Sequence, residues 1–164
     1  MINPKMEKAF NEQINAEIHS FYLYLSMSAW FNSRNYHGMA GWMQVQAKEE
    51  MTHAMKFYGQ IQERGGSVKL QTIEGPQIEW KSPLDVFENA FKHEQYITGR
   101  INNLVKMAIE EHDYASDNFL QWFVKEQVEE EASASGVVEQ LKMIGDQPGG
   151  LFMLDHELAK RKSE

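Results

Sequence analysis

The chain contains only four prolines, at positions 4, 76, 83 and 148, and they leave two long proline-free stretches. Because proline breaks the interior of a helix, each of these stretches is free to form long helices. A turn-like cluster interrupts each stretch once, at residues 32–38 and 112–114. With glycine as a helix stop at position 145, these breaks predict four long helices and a short fifth, over residues 5–32, 38–64, 83–111, 115–144 and 150–160.

The segment between the second and third predicted helices, residues 66–82, decides how the helices connect. Adjacent antiparallel helices need only a few connecting residues. About 17 extended residues at ~3.3 Å each reach over ~50 Å, which is enough to run the length of a bundle. We therefore expect a crossover that makes the second and third helices parallel, anchored by Leu70, Ile73 and Ile78. A disordered loop is the alternative.

Each long helix carries an apolar stripe at alternating three- and four-residue spacing, and polar residues interrupt every stripe near its middle. The interrupting residues, in chain order, are Glu17, Glu50, His53, Glu94, Gln127 and Glu130. Counted from the turns at ~1.5 Å per residue, they fall at one height in the bundle. The sequence therefore predicts a polar layer inside the core.

Four glutamates in an apolar core are too costly as bare anions, so they must be protonated, hydrated or neutralised by a cation. Carboxylate oxygens with a single imidazole suit iron or manganese. Glu50 and His53, three residues apart, present both ligands on one helix face. We predict a dinuclear site that Glu50 bridges, with Glu17 and His53 on one ion and Glu94 and Glu130 on the other. The alternative, a solvated charged face, requires a register error in all four stripes.

The composition excludes several other chemistries. The 164 residues include no cysteine, which rules out disulfide frameworks, thiolate metal sites and cysteine nucleophiles. The net charge of −8 disfavours nucleic acid and attracts cations. The longest stretch without charged residues, 18–33, is too short and polar to span a bilayer, and the N-terminus shows no signal pattern. We expect one cytoplasmic domain over residues 1–164, with no nucleic acid or membrane partner.

Around the polar layer, the sequence resembles bacterial non-haem ferritin, of the ferritin-like di-iron superfamily. The resemblance lies in NEQ at 11–13 before Glu17, EEMTH at 49–53, KHEQ at 92–95 and FLQWFVKEQVEEE at 119–131, and extends over essentially the whole chain. It implies an all-α ferritin-like four-helix bundle, with a long crossover between helices 2 and 3 and a short fifth C-terminal helix. It also implies ferroxidase activity with O2 or H2O2, and storage of ferric oxyhydroxide in a hollow homo-oligomeric cage of twenty-four subunits.

The resemblance also implies which residues bind iron, at two ions per subunit. The ligands it implies are Glu17, Glu50 and His53 for one iron, and Glu50, Glu94 and Glu130, with Gln127 beside them, for the other. A third iron nearby would be held by Glu49, Glu126 and Glu129, which join Glu130; ordinary surface charges are the alternative. Tyr24 matches a tyrosine next to the centre, where it would donate an electron or a hydrogen bond, or serve only as an interior aromatic.

One departure separates the chain from other relatives. Bacterioferritins and rubrerythrins carry a second Glu-x-x-His on the fourth helix, where this chain has Gln127 and Glu130. That difference favours a site through which iron passes over a permanent di-iron cofactor. Met51 lies where bacterioferritins place their haem-ligating methionine, but methionines in helical proteins usually fill cores, so we do not expect haem.

Two competing functions remain open at this stage. One is a di-iron oxidase or peroxidase, of rubrerythrin or bacterioferritin type, without bulk storage. The other is a helical interaction module without catalysis, which would leave the core glutamates unexplained. A cluster of acids at one end of the bundle, Glu110, Glu111, Asp113 and Asp117, indicates either an iron uptake pore or solvated turn charges.

Overall fold

The computed structural model describes residues 1–163, and its regular elements in that range are five helices. They are α1 (Pro4–Asn32), α2 (His37–Glu63), α3 (Pro83–Glu110), α4 (Tyr114–Ile144) and α5 (Pro148–Leu158). The predicted bounds are confirmed to within two residues. Between residues 1 and 163, no helix is long and apolar enough to cross a membrane.

Side chains at the helix starts explain why α1 and α3 begin where they do. Asn3 accepts a hydrogen bond from the main-chain N–H of Lys5 at 2.8 Å, and α1 follows with proline in its first turn. Ser82 accepts from the N–H of Asp85 at 3.1 Å, and the Asp85 carboxylate accepts from the N–H of Lys81 at 2.8 Å. Such bonds satisfy main-chain donors that have no partner within the helix.

The chain between α2 and α3 follows α1 along its length. Asn11 donates to the main-chain carbonyl of Ser67 at 3.0 Å, near the start of α1. Ser26 donates to the carbonyl of Gln77 at 2.6 Å, near the end of α1. As a result α3 begins at the end of the bundle where α2 also begins, which confirms the predicted crossover and the parallel direction of these two helices.

The predicted anchors of the crossover are largely wrong. Leu70 and Ile78 are 71% and 69% exposed, and Ile73 is only half-buried. The buried anchor is Trp80, whose indole packs edge-on against Trp30 with ring centroids 6.3 Å apart. An extended segment lying on a helix has side chains pointing both ways and only one side to bury, so hydrophobicity alone does not identify its anchors.

The short helix α5 packs against the first turn of α2. The Asp155 carboxylate accepts a hydrogen bond from the N–H of Met39 at 2.8 Å, a cap that the preceding Tyr36 side chain does not supply. The two main chains are so close that a Cβ at Gly38 would lie 1.7 Å from the Asp155 carbonyl oxygen. Any larger residue at position 38 would therefore push α5 away from α2.

Two of the acids between α3 and α4 stabilise that end of the bundle. Asp113 is buried, accepts from the N–H of Ser116 at 3.2 Å to cap α4, and pairs with Arg64 at 3.0 Å. Glu111 pairs with Lys5 of α1. Both acids thus tie helix ends together, a role that neither sequence alternative for this cluster contained.

Two hydrophobic clusters fill the bundle, one on each side of the polar layer. One cluster includes Phe10, Phe57 and Phe123, and the other includes Phe31 and Phe87. Between them lie the buried polar residues Glu17, Glu50, His53, Glu94, Gln127 and Glu130. The interrupted stripes are therefore real features of the core, and the alternative of a solvated charged face is wrong.

Candidate metal centre

One half of the polar layer brings together Glu17 of α1 with Glu50 and His53 of α2. All three residues are at most 2% exposed. Each offers one ligand atom, and these three atoms lie within 4.8 Å of one another. His53 Nδ1 lies 3.4 Å from Glu50 Oε2 and 3.8 Å from Glu17 Oε2. Among residues 1–163, the buried Glu17 Oε2 has no hydrogen-bond partner. A buried oxygen of this kind is costly unless something satisfies it, and a metal cation fits.

The other half contains Glu94 of α3 and Glu130 of α4. Like the oxygen of Glu17, Glu130 Oε1 is buried and has no hydrogen-bond partner in the part of the chain that the structure describes. Glu94 differs, because its two oxygens accept from the Tyr24 hydroxyl and from Gln127 Nε2, the latter at 3.1 Å. Gln127 also donates to the Glu94 carbonyl at 3.2 Å, so only its amide oxygen could serve a metal.

The electrostatics of the layer favour binding of either protons or metal. Burial raises the pKa of Glu17 and of Glu50 well above the ordinary carboxyl value, and neighbouring carboxylates add to both shifts. Burial and the charge of Glu94 raise the pKa of Glu130 to about 8. Burial also raises the pKa of Glu94, against the opposing hydrogen bonds from Tyr24 and Gln127. A divalent cation would replace the protons and reverse these shifts.

Tyr24 lies fully inside this layer, and its hydroxyl donates to Glu94. Burial and the nearby negative charge of Glu94 raise the pKa of Tyr24 well above its usual range. The phenol therefore stays protonated and keeps its hydrogen available for the carboxylate. Of the roles that the sequence left open, the structure contains the hydrogen bond.

Behind the carboxylates lies a buried glutamine that the sequence analysis did not identify as a site residue. Gln13 is fully buried on α1, and its Nε2 donates to Glu17 Oε1 at 2.8 Å. Its Oε1 accepts from Arg100 Nε of α3 at 2.9 Å. We refer to these two residues as the Arg100–Gln13 link. It fixes the amide with its donor end towards the candidate ligand.

A second glutamine serves the other side of the centre. Gln46, 1% exposed, donates from Nε2 to Glu50 Oε1 and to Glu130 Oε2, both at 2.8 Å. Its Oε1 accepts from Arg161 Nη2, also at 2.8 Å. These two residues form the Arg161–Gln46 link. Gln46 lies in the apolar stripe one turn before Glu50, which is a signal that could have identified it from sequence.

The residues of the implied third site lie on the surface side of His53. Glu126 Oε1 is 3.9 Å from His53 Nε2, and these two with Glu130 form a second group with ligand atoms within 4.8 Å. Glu49, Glu126 and Glu129 line one pocket of about 410 Å³, with His53 in its wall. The pocket therefore borders the candidate dinuclear centre at His53.

Comparison with known proteins identifies the family of the chain. Residues 7–144 match the model of the ferritin-like domain family. The chain belongs to the ferritin family. This ferritin is 44% identical over 161 residues to the bacterial non-heme ferritin of Bacteroides fragilis, covering 98% of this chain and all of that protein. The corresponding protein of Campylobacter jejuni is 42% identical, with 94% of this chain and 93% of that protein covered.

Solved structures extend the likeness to three dimensions. An engineered closed form of the ferritin from Archaeoglobus fulgidus has a TM-score of 0.99 and 52% identity over the full length of both chains. An open-pore ferritin from that organism has a TM-score of 0.98 and 52% identity, covering 99% of this ferritin and all of the other chain. The predicted family and the predicted all-α ferritin bundle are thereby confirmed.

Proposed function

We propose that this ferritin oxidises Fe(II) to Fe(III) at its intra-subunit dinuclear centre and stores the product as ferric oxyhydroxide. The observation that carries the proposal is the pair of buried, unpartnered oxygens, Glu17 Oε2 and Glu130 Oε1, in a layer of four glutamates and one histidine. Carboxylate oxygens with one imidazole are a donor set that suits iron and leaves positions open for oxygen.

In this proposal, iron is a substrate that passes through the centre. One ferrous ion binds Glu17, Glu50 and His53, and the second binds Glu50, Glu94 and Glu130, with Gln127 beside it. The raised pKa values of these carboxyls mean that binding displaces protons. The Arg100–Gln13 and Arg161–Gln46 links orient the ligand oxygens while the first two ions replace the protons.

The oxidation needs two electrons, and two adjacent ferrous ions supply one each. With O2 as oxidant, two electrons and two protons give H2O2; with H2O2 as oxidant, they give two molecules of water. Four carboxylates stabilise the more highly charged ferric ions by Coulomb attraction. Hydrolysis of the ferric ions then releases protons, and the product moves on to the mineral.

Storage requires a container, and we propose a cytoplasmic cage of twenty-four copies of the single-domain chain. Large apolar side chains exposed on the isolated chain support an assembly, among them Phe152 and Met153 of α5, which are 74% and 73% exposed. The pocket at Glu49, Glu126 and Glu129 supports the third iron site, where ions would stay briefly near the centre.

Size-exclusion chromatography after aerobic loading with excess ferrous salt tests the proposal. Twenty-four chains of 19.1 kDa make a species of roughly 460 kDa. Iron far above two ions per chain, eluting together with protein of that size, is the expected result. A small species with two irons or fewer per chain would instead indicate a di-iron oxidase or peroxidase without bulk storage.

A further inference from the structure

Arg161 lies three residues beyond the end of α5, and its side chain returns to α2. Its guanidinium packs over the ring of Trp42, 4.1 Å from the centroid. Nη2 pairs with Glu49 Oε2 at 2.7 Å and donates to Gln46 Oε1 at 2.8 Å. Only 19% of the Arg161 side chain and 22% of the Glu49 side chain are exposed, so water screens the pair weakly.

Through Gln46 this contact reaches the dinuclear centre. The amide oxygen of Gln46 accepts from Arg161, and the amide nitrogen donates to both Glu50 and Glu130. An amide with both ends engaged has a single favourable orientation. When Arg161 leaves, the oxygen of Gln46 loses its donor, and the amide is oriented less firmly, by its two bonds to the glutamates.

Arg161 also occupies a carboxylate of the proposed third iron site. Glu49 lines the same pocket as Glu126 and Glu129, and its Oε2 is the atom that the guanidinium contacts. A metal ion and a guanidinium are both cations, and they compete for a carboxylate oxygen. The side chain that orients Gln46 is therefore the one that a third ion at Glu49 must displace.

We propose that Arg161 is a built-in counter-ion of the third iron site and a positioning residue for Gln46. It holds Glu49 until a third ferrous ion replaces it, and the replacement removes one of the three hydrogen bonds that orient the amide beside Glu50 and Glu130. Filling of the third site is thereby coupled to the support of the dinuclear centre. The inference rests on the proposed function.

The direct test is crystallography of the assembled protein with Zn²⁺ as the metal probe. One crystal contains two Zn²⁺ ions per chain, and a second contains an excess of Zn²⁺. With two ions, Arg161 is expected to remain on Glu49. With excess Zn²⁺, a third ion on Glu49 is expected together with an Arg161 side chain that has moved away. A third ion that leaves the Arg161–Glu49 pair intact, or that binds without Glu49, overturns the proposal.

Calorimetric titration with Zn²⁺ tests the competition in solution. In Arg161→Gln, the third ion should bind about tenfold more tightly, because one competing positive charge is gone. Arg161→Lys keeps the charge and should bind the third ion as the parent does. Lys160→Gln is the matched control: it removes the same charge one residue earlier, where the ammonium pairs with Glu157 at 2.8 Å, and should change nothing.

The outcomes separate this inference from the proposed function. Unchanged or weaker binding of the third ion in Arg161→Gln, in a protein that still binds two ions tightly and oxidises Fe²⁺, overturns the role of Arg161 alone. A parent protein that binds no tight pair of ions per chain overturns the proposed function and the inference with it. If Arg161→Gln does not assemble, crystallography of the parent still decides.

Discussion

Two buried glutamines, Gln13 and Gln46, each accept a hydrogen bond from an arginine and donate to carboxylates of the candidate centre, but different parts of the fold hold them. Gln13 and its arginine belong to α1 and α3, two long helices of the bundle, and the amide donates to one carboxylate, Glu17. Gln46 lies on α2, but its arginine comes from beyond α5, and its amide donates to carboxylates on two helices, Glu50 and Glu130.

The two halves of the candidate centre therefore depend on different parts of the fold. The Arg100–Gln13 link persists as long as the bundle itself is folded. The Arg161–Gln46 link needs in addition that α5 stay packed on α2, through the close contact at Gly38 and the bond from Met39 to Asp155. Changes near the C-terminus should therefore reach one half of the centre more than the other.

The largest expected effect comes from removing the residue that the two halves share. Glu50→Ala should slow ferrous oxidation by at least about 100-fold, beyond the 10- to 100-fold typical of supporting residues. Stopped-flow absorbance after mixing with Fe²⁺ and O2 measures the rate of this oxidation. Glu139→Ala removes an exposed α4 carboxylate that pairs with Lys142, and serves as the control. Unchanged rapid kinetics in Glu50→Ala would contradict the site assignment.

Separate removal of the two glutamines tests the comparison itself. Gln46→Ala should weaken binding of the pair of Zn²⁺ ions by on the order of 10- to 100-fold, because two ligand carboxylates lose a donor. Gln13→Ala should weaken binding of this pair of ions by about tenfold or less, because one ligand carboxylate, Glu17, loses a hydrogen-bond donor. Calorimetry on both variants decides, with Gln121→Ala, whose amide bonds only Asp117 on the surface, as control. Equal losses, or a larger loss in Gln13→Ala, would refute the asymmetry.

The raised pKa of Glu130 predicts how the metal-free protein responds to pH. Folded protein keeps a proton on Glu130 up to about pH 8, whereas an unfolded chain releases it near the ordinary value of 4.5. Unfolding therefore releases a proton between these values, so stability falls as pH rises from about 4.5 to about 8. We expect the Tm in EDTA to drop by at least roughly 3 °C across this range.

The Tm of Glu130→Gln, measured in EDTA over the same pH range, serves as the control, because the glutamine side chain does not titrate. Its Tm should decline less steeply than that of the parent over the same pH range. A parent Tm that rises towards pH 8 would show that the carboxyls of the layer are not protonated in the metal-free fold. Zn²⁺ should stabilise the parent more at pH 8 than at pH 5, because metal binding requires deprotonated ligands.

The smallest effect is expected at Glu94, which neither link reaches. Tyr24→Phe removes one of the two donors to this carboxylate and leaves Gln127 in place. Loss of one such hydrogen bond should slow ferrous oxidation by roughly two- to fivefold. A loss as large as that of Glu50→Ala, with a tyrosyl radical in the parent by electron paramagnetic resonance, would assign electron donation to Tyr24 instead.

The sequence predicts the helices and the polar layer because both follow from local patterns. Prolines and capping residues mark the ends of the helices, and a charged residue in an apolar stripe must lie in the core wherever the stripe does. The resemblance to bacterial non-haem ferritins predicts its ligands at those same interrupting positions. The comparisons with known ferritins confirm the family and the fold, while the assignment of individual ligands remains a prediction.

The sequence could not predict contacts that depend on how distant segments pack. Arg161 and Glu49 are 112 positions apart, and nothing in their spacing indicates that the end of the chain returns to α2. Gln13 is one helical turn before Glu17, but its burial depends on α3 covering that side. The misplaced anchors, Leu70 and Ile78, have the same origin, since an extended segment does not reveal which of its sides faces the helix.

The crossover is attached to α1 largely through its own main chain. Asn11, Asn15 and Ser26 bond to carbonyls at residues 67, 72 and 77, groups that every amino acid possesses. Side chains add further contacts, in which Val68 packs on a core cluster, Trp80 packs on Trp30 and Glu79 pairs with Arg34. Substitutions at its outward-facing residues, such as Leu70 and Ile78, should therefore change the surface of the molecule and leave the bundle and the polar layer intact.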